Sequence, residues 1–221
     1  MLLRTMIEET RRDMLNIAEL KGQTSPFTVL TSQKLDHLLN LYQKKYGLTD
    51  EFYKMELLDL KVNGSLISNI IQGSLEFDSS LNKLINEYQL NRKDPFEWYS
   101  LEEFQTIFSY LEENYDPNIF TNIGRYVPIN CIFPENIDSF EKGLFNLNTA
   151  YHLNHTSKKA GFYEVIFDGR NEFQVICHTP FYPYAFNYGI LKGLAEKYRV
   201  EVQITVVSFI KGGEFRVIMD K

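Results

Sequence analysis

The sequence predicts an α+β protein that begins with an antiparallel helical hairpin and ends in an antiparallel β-sheet with packed helices. Three observations support this fold class. Residues 3 to 46 carry apolar side chains at helical spacing around one glycine-containing turn. Residues 100 to 115 form a further strongly periodic helix. After Gly161 the pattern changes to short alternating or apolar runs that are typical of strands.

Composition limits the class of protein. The 221 residues are 44% hydrophobic and 24% charged, as in an ordinary globular protein, and the net charge of -6 without a basic stripe argues against nucleic acid as a partner. Cys131 and Cys177 form no CxxC motif, which excludes a disulfide framework and fits a reducing compartment. No apolar run approaches the ~18 residues of a membrane span, and the first residues lack signal-peptide character. We therefore expect a cytoplasmic protein that does not bind a membrane.

The first two helices are delimited by local signals. Residues 3 to 21 form the first predicted helix, and Gly22 ends it. Ser25 is the expected N-cap of the second helix, with Pro26 at its first position, and this helix should reach about Tyr46. The short connection predicts an antiparallel hairpin. Its expected buried faces comprise Leu3, Ile7, Met14 and Ala18 on the first helix and Phe27, Leu35, Leu38, Leu39, Tyr42 and Tyr46 on the second.

The middle of the chain is predicted to be helical. A third helix should run from about Asp50 through "EFYKMELLDLKV" until Gly64 interrupts it, and weaker signals follow in "SLISNIIQGSLEF". Residues 79 to 91 form a short helix, and "RKDP" at 92 to 95 is the best linker candidate. Ser100 and Glu103 make a capping box for the next helix, and residues 135 to 155 are expected to be helical. We divide the chain into a hairpin (1–46), a helical connector (47–95) and an α+β domain (96–221).

The last 60 residues alternate between strand and helix signals. "GFYEVIFD" and "EFQVICH" are joined by "GRN" as a hairpin, and "VEVQITVVSF" and "EFRVIMD" form a second strand pair. Between them lies the helix "YAFNYGILKGLAEKY". Ala185, Gly189 and Gly193 recur every four residues on this helix, which predicts either tight packing on the sheet or close approach by a strand or ligand.

The second helix of the hairpin has an unusual polar face. At about 100° per residue, its mostly uncharged polar side chains fall within an arc of about 100° beside the apolar face. The arc consists of Ser32, Gln33, Asp36, Asn40 and Gln43. From geometry alone, a solvated face is the commoner explanation of such an arc.

The hairpin resembles the stage 0 sporulation protein E-like family of aspartyl-phosphate phosphatases. The resemblance covers about 45 residues and rests on Ser32-Gln33-Lys34-Leu35-Asp36, on the leucine-rich stretch that follows, and on the "IEETRRDM" start. It implies that Gln33 and Asp36 are catalytic or positioning residues and that Ser32, Leu35 and Asn40 contact the partner. The implied partner is a phosphorylated response-regulator receiver domain, which would hold the Mg²⁺; the chain itself needs no cofactor. Lys34 replaces the acidic residue of the family motif, which could change partner choice.

Residues 96 to 221 resemble the 4-vinyl reductase-like sensor domains, which are related in fold to haem–nitric-oxide-binding and TRAPP-like proteins. The resemblance lies in the order of elements and in the "NYGILKGLA" helix, and it implies sensing of a small apolar molecule or dimerisation. Phe181, Tyr184 and Phe186 are the candidate ligand-binding residues, although core packing is the commoner role for such rings.

A metal site is not expected. Two pairs of possible ligands are present. His152 and His155 lie three residues apart. Cys177 and His178 are strand neighbours that should point to opposite faces, so they cannot easily share an ion. The Tyr-x-Ser-x-Arg signature of the haem sensors and the cysteine cluster of some 4-vinyl reductase-like domains are both absent from the sequence.

The sequence is also compatible with two other functions. In one, the chain is a non-catalytic sensor or interaction protein whose hairpin only docks to a partner or forms a homodimer. In the other, the hairpin packs into the larger domain and has a purely structural role.

Overall fold

The computed structural model describes residues 2–22, 24–32, 35, 60–169, 171–209 and 212–220. The chain divides into two compact units, Met1–Glu56 and Leu57–Lys221. None of the helices in the described ranges has the length and apolar character that a membrane crossing requires.

The described part of the first unit contains the first predicted helix and the start of the second. Helix α1 spans Leu2–Lys21, and Gly22 ends it with a φ of +87°, a left-handed conformation that glycine adopts without strain. The Gly22 amide donates to the Ala18 carbonyl at 2.9 Å. Met14 and Ala18 are half-buried and Arg12 is exposed, as the helical period predicts. The side chains of Leu3 and Ile7 lie outside the described part.

Helix α2 begins at residue 26 and is described to residue 32 and again at Leu35. Ser25 caps it, because its hydroxyl accepts a hydrogen bond from the Thr28 amide at 3.1 Å. The sheltered face includes Thr28, which is buried, and Leu35, which is half-buried. The prediction that Phe27 is buried is wrong: its ring is 57% exposed and lies under the Lys21 ammonium group, 4.0 Å from its centroid. The other residues of the predicted stripe, Leu38, Leu39, Tyr42 and Tyr46, are outside the described residues.

The second unit is built from eight α-helices and six strands in the described ranges. Its helices are α3 (Ser65–Phe77), α4 (Asn82–Glu87), α5 (Leu101–Asn114), α6 (Asn118–Arg125), α7 (Val127–Asn130), α8 (Phe140–Phe145), α9 (Leu147–Leu153) and α10 (Tyr184–Tyr198). Its strands are β1 (Lys61–Asn63), β2 (Trp98–Ser100), β3 (Phe162–Gly169), β4 (Glu172–His178), β5 (Val202–Ser208) and β6 (Glu214–Met219). Short 3₁₀ turns cover Ser79–Leu81, Leu90–Arg92 and Lys158–Ala160.

The principal sheet has four antiparallel strands in the order β3-β4-β6-β5. Tyr163 pairs with Cys177, Val175 pairs with Phe215, and Ile204 pairs with Val217. Alternate residues of the two central strands are fully buried, which places one face of the sheet on the core. The predicted α+β class, with an antiparallel sheet and packed helices, is confirmed.

The glycines of α10 pack against a helix, not against the sheet. A Cβ built on Gly189 would lie 2.1 Å from the Thr121 carbonyl oxygen of α6, and one on Gly193 would lie 2.1 Å from the Arg125 carbonyl oxygen. Gly124 of α6 makes the reciprocal approach to the Phe186 carbonyl. The prediction of close approach is therefore right, but the neighbour is the backbone of α6.

Other predicted elements differ in detail. Residues 61 to 63 form strand β1, paired with β2, where the third predicted helix was expected to end. Residues 135 to 155 contain two helices, since the chain breaks between α8 and α9 at Asn146. Ser100 does cap α5, through the Glu102 amide, but the Glu103 carboxylate contacts Lys93 and does not complete the capping box.

The segment predicted as a linker, residues 92 to 95, lies within the second unit. The Asp94 carbonyl accepts a hydrogen bond from the Tyr99 hydroxyl, and the nearby Glu97 carbonyl accepts one from the Gly64 amide. The predicted connector is therefore divided at Leu57 between the two compact units. Where the functional domains begin and end stays a prediction.

Candidate functional site

The hairpin motif is described only in part. Ser32 and Leu35 are half-buried and follow Thr28 by four and seven residues, so they share its sheltered side of α2. Gln33, Asp36 and Asn40, the other predicted site residues, lie outside the described residues, and so does Gln43. The structure therefore describes the partner-contact positions at the start of the motif and leaves its predicted catalytic positions untested.

The opposite side of α2 presents apolar groups to solvent. Val29 is 45% exposed and Leu30 is 62% exposed, and Phe27 precedes them. On α1, Leu20 is also exposed. Such side chains on a short helical unit are candidates for contact with another protein.

The turn before the motif is fixed by side-chain hydrogen bonds. The Thr28 hydroxyl donates to the Gly22 carbonyl at 2.8 Å and is also 2.8 Å from the Ser25 hydroxyl. These bonds link the end of α1 to the first turn of α2, which fixes the register at which the motif begins.

The second unit contains a cavity of about 50 Å³. Its walls come from β1 and the start of α3, from the segment around Cys131, from α9 with the residues after it, and from α10. The lining residues are Val62, Asn63, Ser65, Leu66, Val127, Cys131, Phe133, Leu147, Ala150, Tyr151, Asn154, His155, Tyr163, Tyr182, Phe186 and Ile190.

Asn154 connects three walls of this cavity. Its amide nitrogen donates to the carbonyls of Ile132 and Ala150 at 2.8 and 2.7 Å, and its amide oxygen accepts from the Ile132 amide at 3.1 Å. Its backbone carbonyl accepts from the Asn63 amide at 2.9 Å. Because a buried amide that loses its partners costs free energy, these bonds should hold the walls together.

His155 forms the polar centre of the cavity wall. Its Nδ1 donates to the Tyr151 carbonyl at 2.8 Å, which leaves Nε2 as the acceptor for the Tyr182 hydroxyl at 2.7 Å. Burial lowers the pKa of His155 to about 4, so the imidazole is neutral near pH 7. The Tyr151 ring stacks on it at 4.0 Å between centroids. Burial also raises the pKa of Tyr182 well above its ordinary value, so this hydroxyl keeps its proton.

The other polar groups of the wall also have partners within the protein. The Tyr151 hydroxyl donates to the Ala160 carbonyl at 2.6 Å, and the Tyr163 hydroxyl donates to the Asn187 amide oxygen. The Cys131 sulfur accepts from Ser65 at 3.3 Å and from the Asn69 amide at 3.2 Å. Among the described residues, the buried side-chain N and O atoms without a partner belong to Ser74 and His152, neither of which lines the cavity.

The three predicted ligand-binding rings lie in different places. Phe186 lines the cavity. Tyr184 lines a separate surface groove with Tyr115 and Phe209, and Phe181 lines neither of them. The backbone carbonyl of Phe181 accepts a hydrogen bond from Gln105 at 2.8 Å. Whether any of these rings contacts a ligand stays a prediction.

Sequence reasoning missed most residues of the cavity wall. The sequence presents His155 only as half of a possible metal pair, and it gives no functional role to Asn154, Ser65 or Cys131. The residues of the cavity wall are far apart in the sequence, for example 117 residues between Ser65 and Tyr182, and only the fold brings them together. Their spacing therefore gives no local sequence signal. One signal was available: a histidine among many aromatic residues is often a hydrogen-bonded core group.

Of the two pairs considered for a metal, Cys177 and His178 lie on opposite faces of a strand. Cys177 is buried and His178 is exposed on the other face of β4, as the strand period predicts. In the described ranges, no group of three or more His, Cys, Asp or Glu side chains is arranged to hold a metal ion.

Comparison with known proteins gives a different result for each unit. Residues 3–44 match the family model described as Spo0E like sporulation regulatory protein. No curated protein matches the chain.

Solved H-NOX domains resemble the chain in fold. An oxygen-binding H-NOX domain related to soluble guanylate cyclases is 13% identical with a TM-score of 0.52, covering 72% of this chain and 95% of that one. A mutant H-NOX domain from T. Tengcongensis is 12% identical with a TM-score of 0.52, covering 72% of this chain and 98% of that one. Because the first unit has only 56 residues, a match over 72% of the chain must include most of the second unit. The suggested resemblance to this group of folds is thereby confirmed, at the level of fold.

The cavity does not fit a haem. Pockets for drug-sized ligands measure roughly 300–1,000 Å³, and this cavity measures about 50 Å³. Both ring nitrogens of His155, the histidine that lines it, already have protein partners. No Lys or Arg lines it to pair with the two haem carboxylates.

Proposed function

We propose that the chain regulates a phosphorelay by speeding loss of phosphate from the aspartyl phosphate of a sporulation-type response regulator. The observation that carries this proposal is the Ser32–Asp36 motif, within the segment that matches the Spo0E-like family model. The second unit senses a small molecule or dimerises, in keeping with its sensor-like fold. The cytoplasm, where response regulators act, is the proposed location.

The proposed reaction requires few catalytic groups on the hairpin. An aspartyl phosphate is labile, so a phosphatase need only orient a water in line with the phosphorus atom. Gln33 and Asp36 each carry an oxygen that accepts a hydrogen bond from that water. The Mg²⁺ that balances the phosphoryl charge belongs to the receiver domain. The chain supplies no cofactor of its own.

The described part of α2 supports access to the motif. If the helix continues to about Tyr46, Asp36 follows Val29 by seven residues and points within about 20° of it. Val29 is exposed to solvent. Ser32, which is half-buried, and Leu35 would then border the contact and set its fit to the receiver. Asn40 would extend the same polar side by one turn.

The decisive experiment measures the lifetime of a phosphorylated receiver domain with and without the full chain. We expect wild-type protein to shorten it, and Asp36→Ala and Gln33→Ala to abolish the effect by leaving the attacking water unoriented. Asp13→Ala, an exposed acidic residue on α1, is the matched control and should act as wild type. Equal lifetimes with wild type, with Asp36→Ala and without added protein, across several sporulation-type receivers, would exclude phosphatase action.

A non-catalytic role is the second candidate, and one observation favours it. Phe27, Leu30 and Leu20 expose apolar surface on the first unit, which suits docking to a partner or to a second copy. In that case the receiver would bind the chain without any change in phosphate lifetime, and Leu30→Ser would weaken binding. Binding measured in parallel with the lifetime assay separates the two functions.

A further inference from the structure

We infer that the cavity beside His155 and Tyr182 is a binding site for an apolar molecule of only a few heavy atoms, and that it does not take haem. The inference rests on the sensing half of the proposed function and does not depend on the hairpin.

Size is the first argument. A cavity needs roughly 10–15 Å³ of free volume to hold one water, and an apolar cavity of about 150 Å³ binds benzene or xenon. The volume here, about 50 Å³, is larger than one water needs and about a third of the benzene-binding case. This volume accommodates a dissolved gas or a very small hydrocarbon.

Polarity is the second argument. The nitrogens of His155, the side-chain amide of Asn154 and the hydroxyls of Tyr151, Tyr163 and Tyr182 are already hydrogen-bonded inside the protein. The donors of these groups are all in use, so a ligand that accepts hydrogen bonds would have to break one of these bonds, whereas an apolar ligand breaks none. The remaining wall consists of aliphatic and aromatic groups such as Leu66, Ala150, Phe186 and Ile190.

Charge is the third argument. Every side chain that lines the cavity is neutral at pH 7, because burial keeps His155 unprotonated and the tyrosines protonated. An anionic or cationic ligand would be desolvated there without a counter-charge, which is costly. This excludes carboxylate-bearing ligands, haem among them.

Xenon serves as the probe for the test, applied to the full chain and followed by ¹²⁹Xe NMR. We expect saturable binding to wild-type protein. Ala150→Val adds two methyl groups to the wall and should weaken binding by about tenfold or more, since the added volume fills the site. Ala195→Val makes the same change at a buried position of α10 away from the cavity and should bind as wild type.

A second variant that fills the cavity shows whether a loss of xenon binding reflects the filled cavity or misfolding of Ala150→Val. Val127→Ile enlarges a half-buried side chain on another wall and should also weaken xenon binding. Absence of saturable binding to wild type, or undiminished binding to both filling variants, overturns the inference. So does uptake of one haem per chain by wild-type protein that Ala150→Val abolishes. No receiver is present in this assay, so failure of the proposed phosphatase leaves its outcome unaffected.

Discussion

His155 is held in the core of the second unit as a neutral imidazole with both ring nitrogens bonded. Tyr182 donates to Nε2, and Nδ1 donates to the Tyr151 carbonyl. Burial is the main cause of the neutral state, because it lowers the pKa of His155, while the bond to the Tyr151 carbonyl raises that pKa.

This predicts a pH-dependent stability. The pKa of His155 is about 4 in the folded protein, against an ordinary value of 6.5, so the unfolded chain binds the proton more tightly. The stability due to the neutral form is fully present above pH 6.5 and is lost as the pH falls from 6.5 to 4. The loss should reach about 3 kcal/mol.

Urea unfolding at several pH values tests this expectation. His155→Gln should be less stable than wild type at pH 7 but should lose less further stability between pH 6.5 and 4. Parallel slopes for wild type and His155→Gln would show that His155 is not the group responsible.

Among the elements of the second unit, α6 and α10 approach each other most closely through glycine. Gly189→Ala would place a methyl group 2.1 Å from the Thr121 carbonyl oxygen and 3.0 Å from Gly124 Cα. Alanine is the better helix former by about 1 kcal/mol, but backbone atoms cannot yield as a side chain would. We expect a net destabilisation of about 2 kcal/mol.

Chemical denaturation measures this cost directly. Lys192→Ala, at an exposed position of the same helix, should change the free energy of unfolding by no more than about 0.5 kcal/mol. A Gly189→Ala protein that is as stable as wild type would mean that the two helices do not pack at this distance.

The hairpin turn offers a test at the same scale. Ser25→Ala removes the acceptor of the Thr28 amide and should cost about 1 kcal/mol of helix stability. Amide hydrogen exchange at Thr28 should then become about fivefold faster. Ser25→Asp, which keeps an acceptor at the N-cap, should preserve protection. Unchanged exchange in Ser25→Ala would contradict the cap.

Elements with strong local signals are predictable from the sequence. The β3–β4 hairpin, α5 with its Ser100 cap, and α10 were all expected, because period, caps and turn residues agree locally. Strand β1 was not expected: it has three residues and exists through pairing with β2, for example Val62 with Tyr99. The split of residues 135 to 155 was also missed, since asparagine is tolerated within a helix and Asn146 ends one only in this context.

At the scale of the whole molecule, the two candidate sites differ in how far sequence could predict them. The hairpin motif is contiguous, so resemblance alone names Gln33 and Asp36. The cavity is assembled from distant segments, and of its predicted rings only Phe186 lines it. The sequence therefore predicted the α+β class of the second unit but not the cavity within it.

The proposed ligand cavity includes the first strand of the second unit. The second unit begins at Leu57, and β1 follows at Lys61; Val62 and Asn63 of this strand line the cavity. A ligand that changes the position of β1 would act on the segment that leads back to the hairpin. Such coupling requires the ligand to favour one arrangement of β1 over another.

We propose that one chain combines a hairpin phosphatase with a cavity that regulates it. This proposal is tested most directly by the rate at which the full chain dephosphorylates a sporulation-type receiver, compared for wild type, Asp36→Ala and Ala150→Val. We expect wild type to accelerate the loss of phosphate, Asp36→Ala not to do so, and Ala150→Val, with its cavity filled, to have a rate different from wild type. Identical decay curves with wild type, with Asp36→Ala and without added protein would contradict it.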